Sequence, residues 1–147
     1  MLVRAYVGMI GTGAVERVFW YDFKDDGLKR DYNEANFGIV RHETFNCAPK
    51  PAYVAYAVMS RVLTGSRFAR REELGPGAVG YRFERPDGSA VLVAWAPEEP
   101  CAVTVPGGAR GVTDLMGNPV EAEEAEGGLR LALTGDPIYV EVAAGRG

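Results

Sequence analysis

A continuous apolar run, Val18-Phe19-Trp20-Tyr21, constrains the fold of this chain more than any other feature of its sequence. β-Branched and aromatic residues favour an extended backbone, so the run predicts a strand over residues 17–23. The apolar residues are consecutive, which is typical of a strand that is covered on both faces in a parallel sheet. The rest of the sequence offers no parallel neighbours. We therefore expect one strand of a sheet whose other strands are missing.

Two helices are predicted on either side of this strand. Apolar residues recur at helical spacing over Leu2–Ile10, and Gly11 and Gly13 then end the helix. A polar loop follows the strand over residues 24–36. Pro49 and Pro51 begin a second helix that runs over residues 52–63, since proline is tolerated in a first helical turn. This helix is apolar nearly all round, which predicts burial on more than one side.

The second half of the chain has the sequence pattern of an all-β domain. Short strands are predicted near residues 79–84, 90–95, 102–105, 111–114, 120–123, 129–133 and 138–142. Glycine- and proline-rich turns separate them, as in an antiparallel sandwich or barrel. A boundary at residues 66–76 gives two domains, 1–66 and 67–147. The predicted class is mainly β with α: a sandwich of about seven or eight strands after a helix–strand–loop–helix segment.

Composition argues against several classes of function. The formal net charge is −4, so nucleic-acid binding through phosphate contacts is not expected. Cys47 and Cys101 are too few for a disulfide framework, and the single His42 excludes multi-histidine metal sites. We expect no metal and no cofactor. Neither a signal peptide nor a membrane-spanning run is recognisable, which predicts a cytoplasmic chain and leaves open the export of a longer precursor.

Two motif matches are better explained as loops. Gly11-Thr12-Gly13 follows a helix and precedes a strand, the reverse of the order in a dinucleotide-binding fingerprint. Residues 22–27 are acidic and partly match a calcium loop, but Lys24 stands where an oxygen ligand belongs. Asp22 and Glu34 are the only candidate acid/base pair in this region.

Three segments together resemble the end of the catalytic barrel in clan A glycoside hydrolases. They are Val18-Phe19-Trp20-Tyr21, Asn36-Phe37-Gly38-Ile39-Val40 and Pro49-Lys50-Pro51-Ala52-Tyr53-Val54-Ala55-Tyr56. The nearest resemblance is to the family 39 β-xylosidase-like group, whose barrel is followed by a small β-sandwich. The resemblance implies that residues 1–66 are a remnant of a (β/α)8 barrel. It places residues 17–23 as the eighth barrel strand.

The same resemblance implies where the site residues lie. Both catalytic carboxylates of these enzymes belong to earlier barrel strands, so no catalytic residue carries over to this chain. An aromatic residue at the end of the eighth strand forms the floor of the sugar site, and Trp20 matches it. Tyr21 and Glu34 are the other candidate substrate-binding residues. A core role for Trp20 is the simpler interpretation, and we favour it.

The resulting hypothesis is an accessory domain of a glycoside hydrolase, without hydrolytic activity alone and with a structural or oligomerisation role. One alternative is a carbohydrate-binding module that uses Trp20. Another is one part of a split glycosidase that an upstream-encoded chain completes. A lone barrel strand leaves two edges unpaired, so either the strand joins the sandwich or two chains associate. We expect a homo-oligomer that forms through residues before Ser66.

Overall fold

A computed structural model describes residues 1–144, which form two α-helices, two short 3-10 helices and eight strands. The helices are α1 (Leu2–Ile10) and α2 (Pro51–Leu63). The strands are β1 (Arg67–Glu72), β2 (Val79–Glu84), β3 (Ala90–Trp95), β4 (Cys101–Pro106), β5 (Ala109–Asp114), β6 (Glu123–Ala125), β7 (Gly128–Leu133) and β8 (Ile138–Val142). None of the described helices is long and apolar enough to cross a membrane.

The strands form two antiparallel sheets that pack face to face. The first sheet has the order β1-β2-β3-β8-β5, and the second has the order β4-β7-β6. Their shared core contains Leu92 and Val140 from the first sheet, and Val103 and Leu131 from the second. This arrangement confirms the predicted sandwich. It follows from period-two alternation, since successive strand residues point to opposite faces.

The helices cover the other face of the five-stranded sheet, which gives the protein three layers. Val91, Val93 and Trp95 of β3 point away from the second sheet and pack with residues of α1 and α2. Every residue of β3 is buried, because this strand is covered on both sides. Arg85 ties the layers together: its guanidinium donates to the Val62 carbonyl oxygen at 3.1 Å.

The predicted strand at residues 17–23 is wrong, because this segment belongs to neither sheet. It has an irregular extended course whose nearest pairing is a parallel bridge between Lys24 and Val40. Its faces also differ from the prediction. Val18 and Trp20 are partly buried, whereas the Phe19 side faces solvent with an exposed fraction of 86%. The segment has no neighbouring strand on either side, so it forms no β-ladder. Only its inward-facing side chains are covered by the rest of the protein.

Three further elements differ from their predictions. β1 was expected to be part of a domain boundary, because Arg70 and Arg71 interrupt the apolar alternation by which a strand is recognised. Charged residues are common on edge strands, and β1 is the edge strand of its sheet. The strand expected at residues 120–123 is instead β6, which begins at Glu123. Helix α2 buries one stripe of side chains and leaves Tyr53 41% exposed, so it is not covered on several sides.

A turn after β5 connects the sandwich to α2. The Asp114 carboxylate accepts hydrogen bonds from the backbone N–H groups of Met116 and Asn118, each at 2.8 Å. It also accepts one from the Asn118 side chain at 3.0 Å. A Cβ atom on Gly117 would lie 3.2 Å from a methyl group of Val58, so the turn lies directly on the helix. The carboxylate therefore fixes a contact between layers.

The Asp114 turn should make stability fall in acid. Burial opposes ionisation of Asp114, but the hydrogen bonds from Asn118 and the turn outweigh it and lower the pKa. A lowered folded-state pKa contributes stability above the unfolded pKa of about 4, and this stability is lost as pH falls through the folded-state pKa. Urea midpoints measured from pH 5 to pH 2.5 should fall less steeply in Asp114→Asn than in wild type. Parallel curves would contradict this role.

Tyr139 of β8 carries a buried hydroxyl with no hydrogen-bond partner among the described residues. Its side chain is 0% exposed within the layer between sheet and helices, and burial raises its pKa. An unpaired buried hydroxyl costs about 1–3 kcal/mol of desolvation. Tyr139→Phe should therefore raise the free energy of unfolding by about 1 kcal/mol, measured by urea denaturation.

Tyr6→Phe is the matched control for Tyr139→Phe. Burial raises the pKa of Tyr6, the neighbouring Tyr56 adds to this and the backbone of Trp20 opposes it, so the Tyr6 hydroxyl has polar neighbours that the Tyr139 hydroxyl lacks. Its removal should lower stability. Two variants that shift stability in the same direction would show that hydroxyl pairing does not decide the result.

Candidate functional site

A large cleft lies in the long loop between α1 and α2, on the outward side of the extended segment. It is open, has a volume of about 750 Å³, and combines aromatic, aliphatic and charged side chains. The lining residues are Tyr21, Asp26, Gly27, Leu28, Lys29, Tyr32, Glu34, Ala35 and Phe37. Two of the three predicted site residues, Tyr21 and Glu34, therefore meet here.

Hydrogen bonds within the cleft pair each tyrosine with a carboxylate. The Tyr21 hydroxyl donates to Asp26 Oδ2 at 2.5 Å, and the Tyr32 hydroxyl donates to Glu34. The carboxylates stabilise the protonated phenols, so the bond to Asp26 raises the pKa of Tyr21, and the bond to Glu34 raises the pKa of Tyr32. Both phenols are thus held as neutral hydroxyl groups beside acidic acceptors.

The loop backbone and an aromatic contact give the cleft its shape. The Asn36 side chain donates to the carbonyl oxygens of Lys29 at 2.8 Å and Tyr32 at 2.7 Å, which closes the loop on itself. The rings of Tyr21 and Phe37 meet edge to face, with 6.4 Å between centroids. Such a wall of rings with nearby carboxylates can hold a small polar ligand that has an apolar face.

Trp20, the third predicted site residue, lies on the opposite side of the segment. Its ring stacks on Tyr6 with 6.4 Å between centroids, and its indole N–H donates to the Phe37 carbonyl oxygen at 3.3 Å. It lines a separate pocket of about 220 Å³ with Tyr6 and Tyr56. Tyr21 does not line this pocket, so Trp20 and Tyr21 belong to different clefts.

The carboxylates of the loop form neither the expected pair nor a metal site. Asp22 lines the small pocket of Trp20, whereas Glu34 lines the large cleft. The pair proposed as acid and base therefore does not face one shared space. Among residues 1–144, no group of three or more His, Cys, Asp or Glu side chains is placed to hold a metal ion.

Sequence reasoning missed the ion pair that anchors this loop. Asp25 is 6% exposed; its Oδ1 accepts from Lys50 Nζ at 2.5 Å and from the Gly38 N–H at 3.0 Å. Lys50 also donates to the Asn36 carbonyl oxygen at 3.0 Å, just before α2 begins. Asp25 stands in an acidic run, and such runs are usually solvated, so the run itself did not indicate that this one carboxylate is buried. The lysine between two prolines, Pro49-Lys50-Pro51, was the available signal.

Comparison with known proteins adds one informative likeness. Neither the descriptions of protein families nor the curated proteins contain a match to this sequence. Among solved structures, the chain is similar to a family 39 glycoside hydrolase from the gut symbiont Bacteroides cellulosilyticus WH2, with 28% identity and a TM-score of 0.82. The likeness covers 97% of this chain but 29% of that one. This chain is therefore similar, over nearly all its length, to under a third of a family 39 glycoside hydrolase, consistent with a C-terminal part of such an enzyme.

Proposed function

We propose that this chain is a structural accessory domain related to glycoside hydrolases, without hydrolytic activity alone. The likeness to the family 39 enzyme carries the proposal, because it takes in 97% of this chain and leaves 71% of the larger protein unmatched. The three-layer body supports a structural role. Its helices and extended segment are packed against the sandwich as one unit rather than tethered to it.

The arrangement of the carboxylates supports the absence of hydrolysis. Retaining hydrolysis needs two carboxyl groups about 5 Å apart on either side of the scissile bond. Asp22 and Glu34 line different pockets. In the large cleft, Asp26 and Glu34 each accept a tyrosine hydroxyl, and both are exposed. Neither is buried in the apolar surroundings in which glycosidases keep their acid protonated.

An assay with aryl glycosides tests this proposal. The purified chain should release no more aryl alcohol from xylosides, glucosides and arabinosides than the same chain after heat denaturation. Glu34→Gln, with the carboxylate of the cleft removed, should give the same background rate. Turnover by the wild type that Glu34→Gln abolishes would contradict the proposal and make Glu34 a catalytic residue.

Carbohydrate binding is a second candidate function, and the cleft is the observation that favours it. Tyr21, Tyr32 and Phe37 offer aromatic surface, while Asp26 and Glu34 offer acceptors for sugar hydroxyl groups. Titration with xylo- and cello-oligosaccharides should then change the fluorescence of Trp20, which adjoins Tyr21. Tyr21→Ala should abolish the change, and Tyr53→Ala, an exposed tyrosine of α2, should leave it intact. No change at millimolar sugar would exclude this role.

The third candidate is a two-chain glycosidase. The likeness covers only 29% of the Bacteroides enzyme, which supports this candidate as much as it supports an accessory domain. In that case a second chain with the barrel carboxylates would gain activity when mixed with this one. The unmatched portion of the Bacteroides enzyme, expressed without its matched segment, is a suitable probe. Aryl-glycoside turnover that requires both chains would support assembly; its absence would leave this chain with the structural role.

A further inference from the structure

The small pocket beside Trp20 is built mainly from aromatic rings that three elements supply. Helix α1 contributes Tyr6, helix α2 contributes Tyr56, and the extended segment contributes Trp20. Phe19 and Phe23 line the same pocket and are 86% and 62% exposed, so they form its rim. The pocket has a volume of about 220 Å³, which suits a ligand smaller than a drug-sized molecule. We call these five rings the aromatic cage.

The inner rings of the aromatic cage are held at fixed angles to one another. Tyr6 and Trp20 lie with 6.4 Å between centroids and 27° between ring planes, whereas Tyr6 and Tyr56 meet edge to face at 5.4 Å and 62°. The indole N–H of Trp20 donates to the Phe37 carbonyl oxygen at 3.3 Å, which holds the indole in place. Rings inclined in this way surround a space from several sides instead of forming one flat platform. Such a cage suits a compact, rounded group better than a flat one.

Asp22 is the only charged side chain among the described residues that line this pocket. Within residues 1–144 it forms no ion pair. Its Oδ1 accepts the N–H of Phe23, and its own N–H donates to the Phe37 carbonyl oxygen at 3.3 Å, so the carboxylate is held at the wall. Burial raises the pKa of Tyr6, whose phenol therefore stays neutral. The pocket thus carries one negative charge beside the electron-rich faces of aromatic rings, and both attract a cation.

We propose that the aromatic cage binds a small organic cation that carries a trimethylammonium group, such as choline. This group has no N–H to donate, and its methyl groups fit the apolar lining that Leu2, Val18 and Ile39 add to the rings. A primary ammonium has three donors and an inorganic cation needs several oxygen ligands, whereas the pocket offers one carboxylate. The inference concerns a different cleft from the one considered for carbohydrate, and it rests on neither the relation to glycosidases nor the proposed function.

Titration of the whole chain with choline chloride, at constant ionic strength, tests the proposal. NMR of the indole N–H groups reports on both tryptophans at once: the Trp20 signal should shift saturably at millimolar choline, and that of Trp95, which does not line the pocket, should not. Neohexyl alcohol is the matched probe, because it is the uncharged carbon analogue of choline. It should bind roughly tenfold more weakly, since the rings and Asp22 do not attract it electrostatically. Equal binding of both probes, or an unchanged Trp20 signal with choline, overturns the proposal.

Substitutions in the pocket separate the effect of the charge from that of the rings. Asp22→Asn keeps an oxygen for the Phe23 N–H and removes the charge, so choline should bind about fivefold more weakly while neohexyl alcohol binds as before. Phe19→Ala removes an exposed ring of the rim and should weaken choline binding about threefold. Asp31→Asn and Phe45→Ala, at exposed positions that do not line the pocket, should leave choline binding unchanged. Choline affinity that neither Asp22→Asn nor Phe19→Ala lowers overturns the assignment to this pocket.

Vesicles of phosphatidylcholine identify the source of the trimethylammonium group, which free choline and this lipid head group share. A vesicle-induced change of the Trp20 signal that free choline reverses would indicate the lipid head group. Vesicles without effect, beside a shift with free choline, would indicate a freely diffusing molecule. Both results support the cation site, because both require the same group in the same pocket.

Discussion

Gly128→Ala should destabilise the sandwich by about 3–5 kcal/mol, the sum of a backbone clash and a strained conformation. Gly128 begins β7 and faces Pro106 of β4 with a φ of 156°. A Cβ atom here would lie 1.9 Å from the Val105 carbonyl oxygen and 2.8 Å from its carbonyl carbon. Both contacts are to backbone of the paired strand, so no side-chain rotation relieves them. The ends of β4 and β7 would have to separate.

Urea denaturation followed by circular dichroism measures this loss. Gly111→Ala is the matched control, because Gly111 lies in β5, has no positive φ, and has open space where its Cβ would stand. It should change the free energy of unfolding by less than about 1 kcal/mol. Equal effects of the two substitutions would show that the approach of β4 to Gly128 is not as close as described.

Asp25→Ala should be the most damaging substitution in the first 66 residues, at about 3–5 kcal/mol. It leaves the Lys50 ammonium, whose side chain is 20% exposed, without its carboxylate, and it removes the acceptor of the Gly38 N–H. An unpaired charge in such a place costs far more than an exposed pair contributes. The loop over residues 24–40 should open while the sandwich stays folded. Amide exchange at Gly38 and Val40 should then accelerate.

Neighbouring substitutions separate this effect from a general loss of charge. Asp26→Ala removes an exposed carboxylate one residue away and should change stability by less than about 1 kcal/mol. Gly38→Ala attacks the same contact from the other side, since its Cβ would lie 2.2 Å from the Asp25 backbone nitrogen. It should reproduce the exchange pattern of Asp25→Ala. If amide exchange at Gly38 and Val40 stays slow in both variants, the Asp25–Lys50 ion pair does not anchor the loop.

The sequence revealed the sandwich better than the loop that precedes it, for a physical reason. Val91, Val93 and Trp95 alternate with Leu92 and Ala94, and each set is buried against a different layer. Local patterns of this kind record which face a residue turns to the core. Turn residues between strands record where the chain reverses.

The cleft depended on information that local patterns do not contain. Composition shows that residues 22–34 are acidic, but it does not distinguish buried Asp25 from exposed Asp26. That difference arises from Lys50, which lies 25 positions further along the chain. The prediction of a strand covered on both faces at residues 18–21 failed for a related reason. An apolar run does not show whether other residues of the described structure cover it, and here Phe19 and Tyr21 remain exposed.

The position of β8 has a consequence for how the protein is made. This last strand lies between β3 and β5, and its residues enter both cores. During synthesis the earlier strands leave the ribosome without the partner that completes their sheet, so their apolar faces stay open to solvent or to chaperones. Pairing of β3 with β8 spans more than 40 positions, and such distant contacts form slowly. Emergence of β8 from the ribosome, rather than emergence of the first half of the sandwich, should set the moment at which the native state becomes reachable.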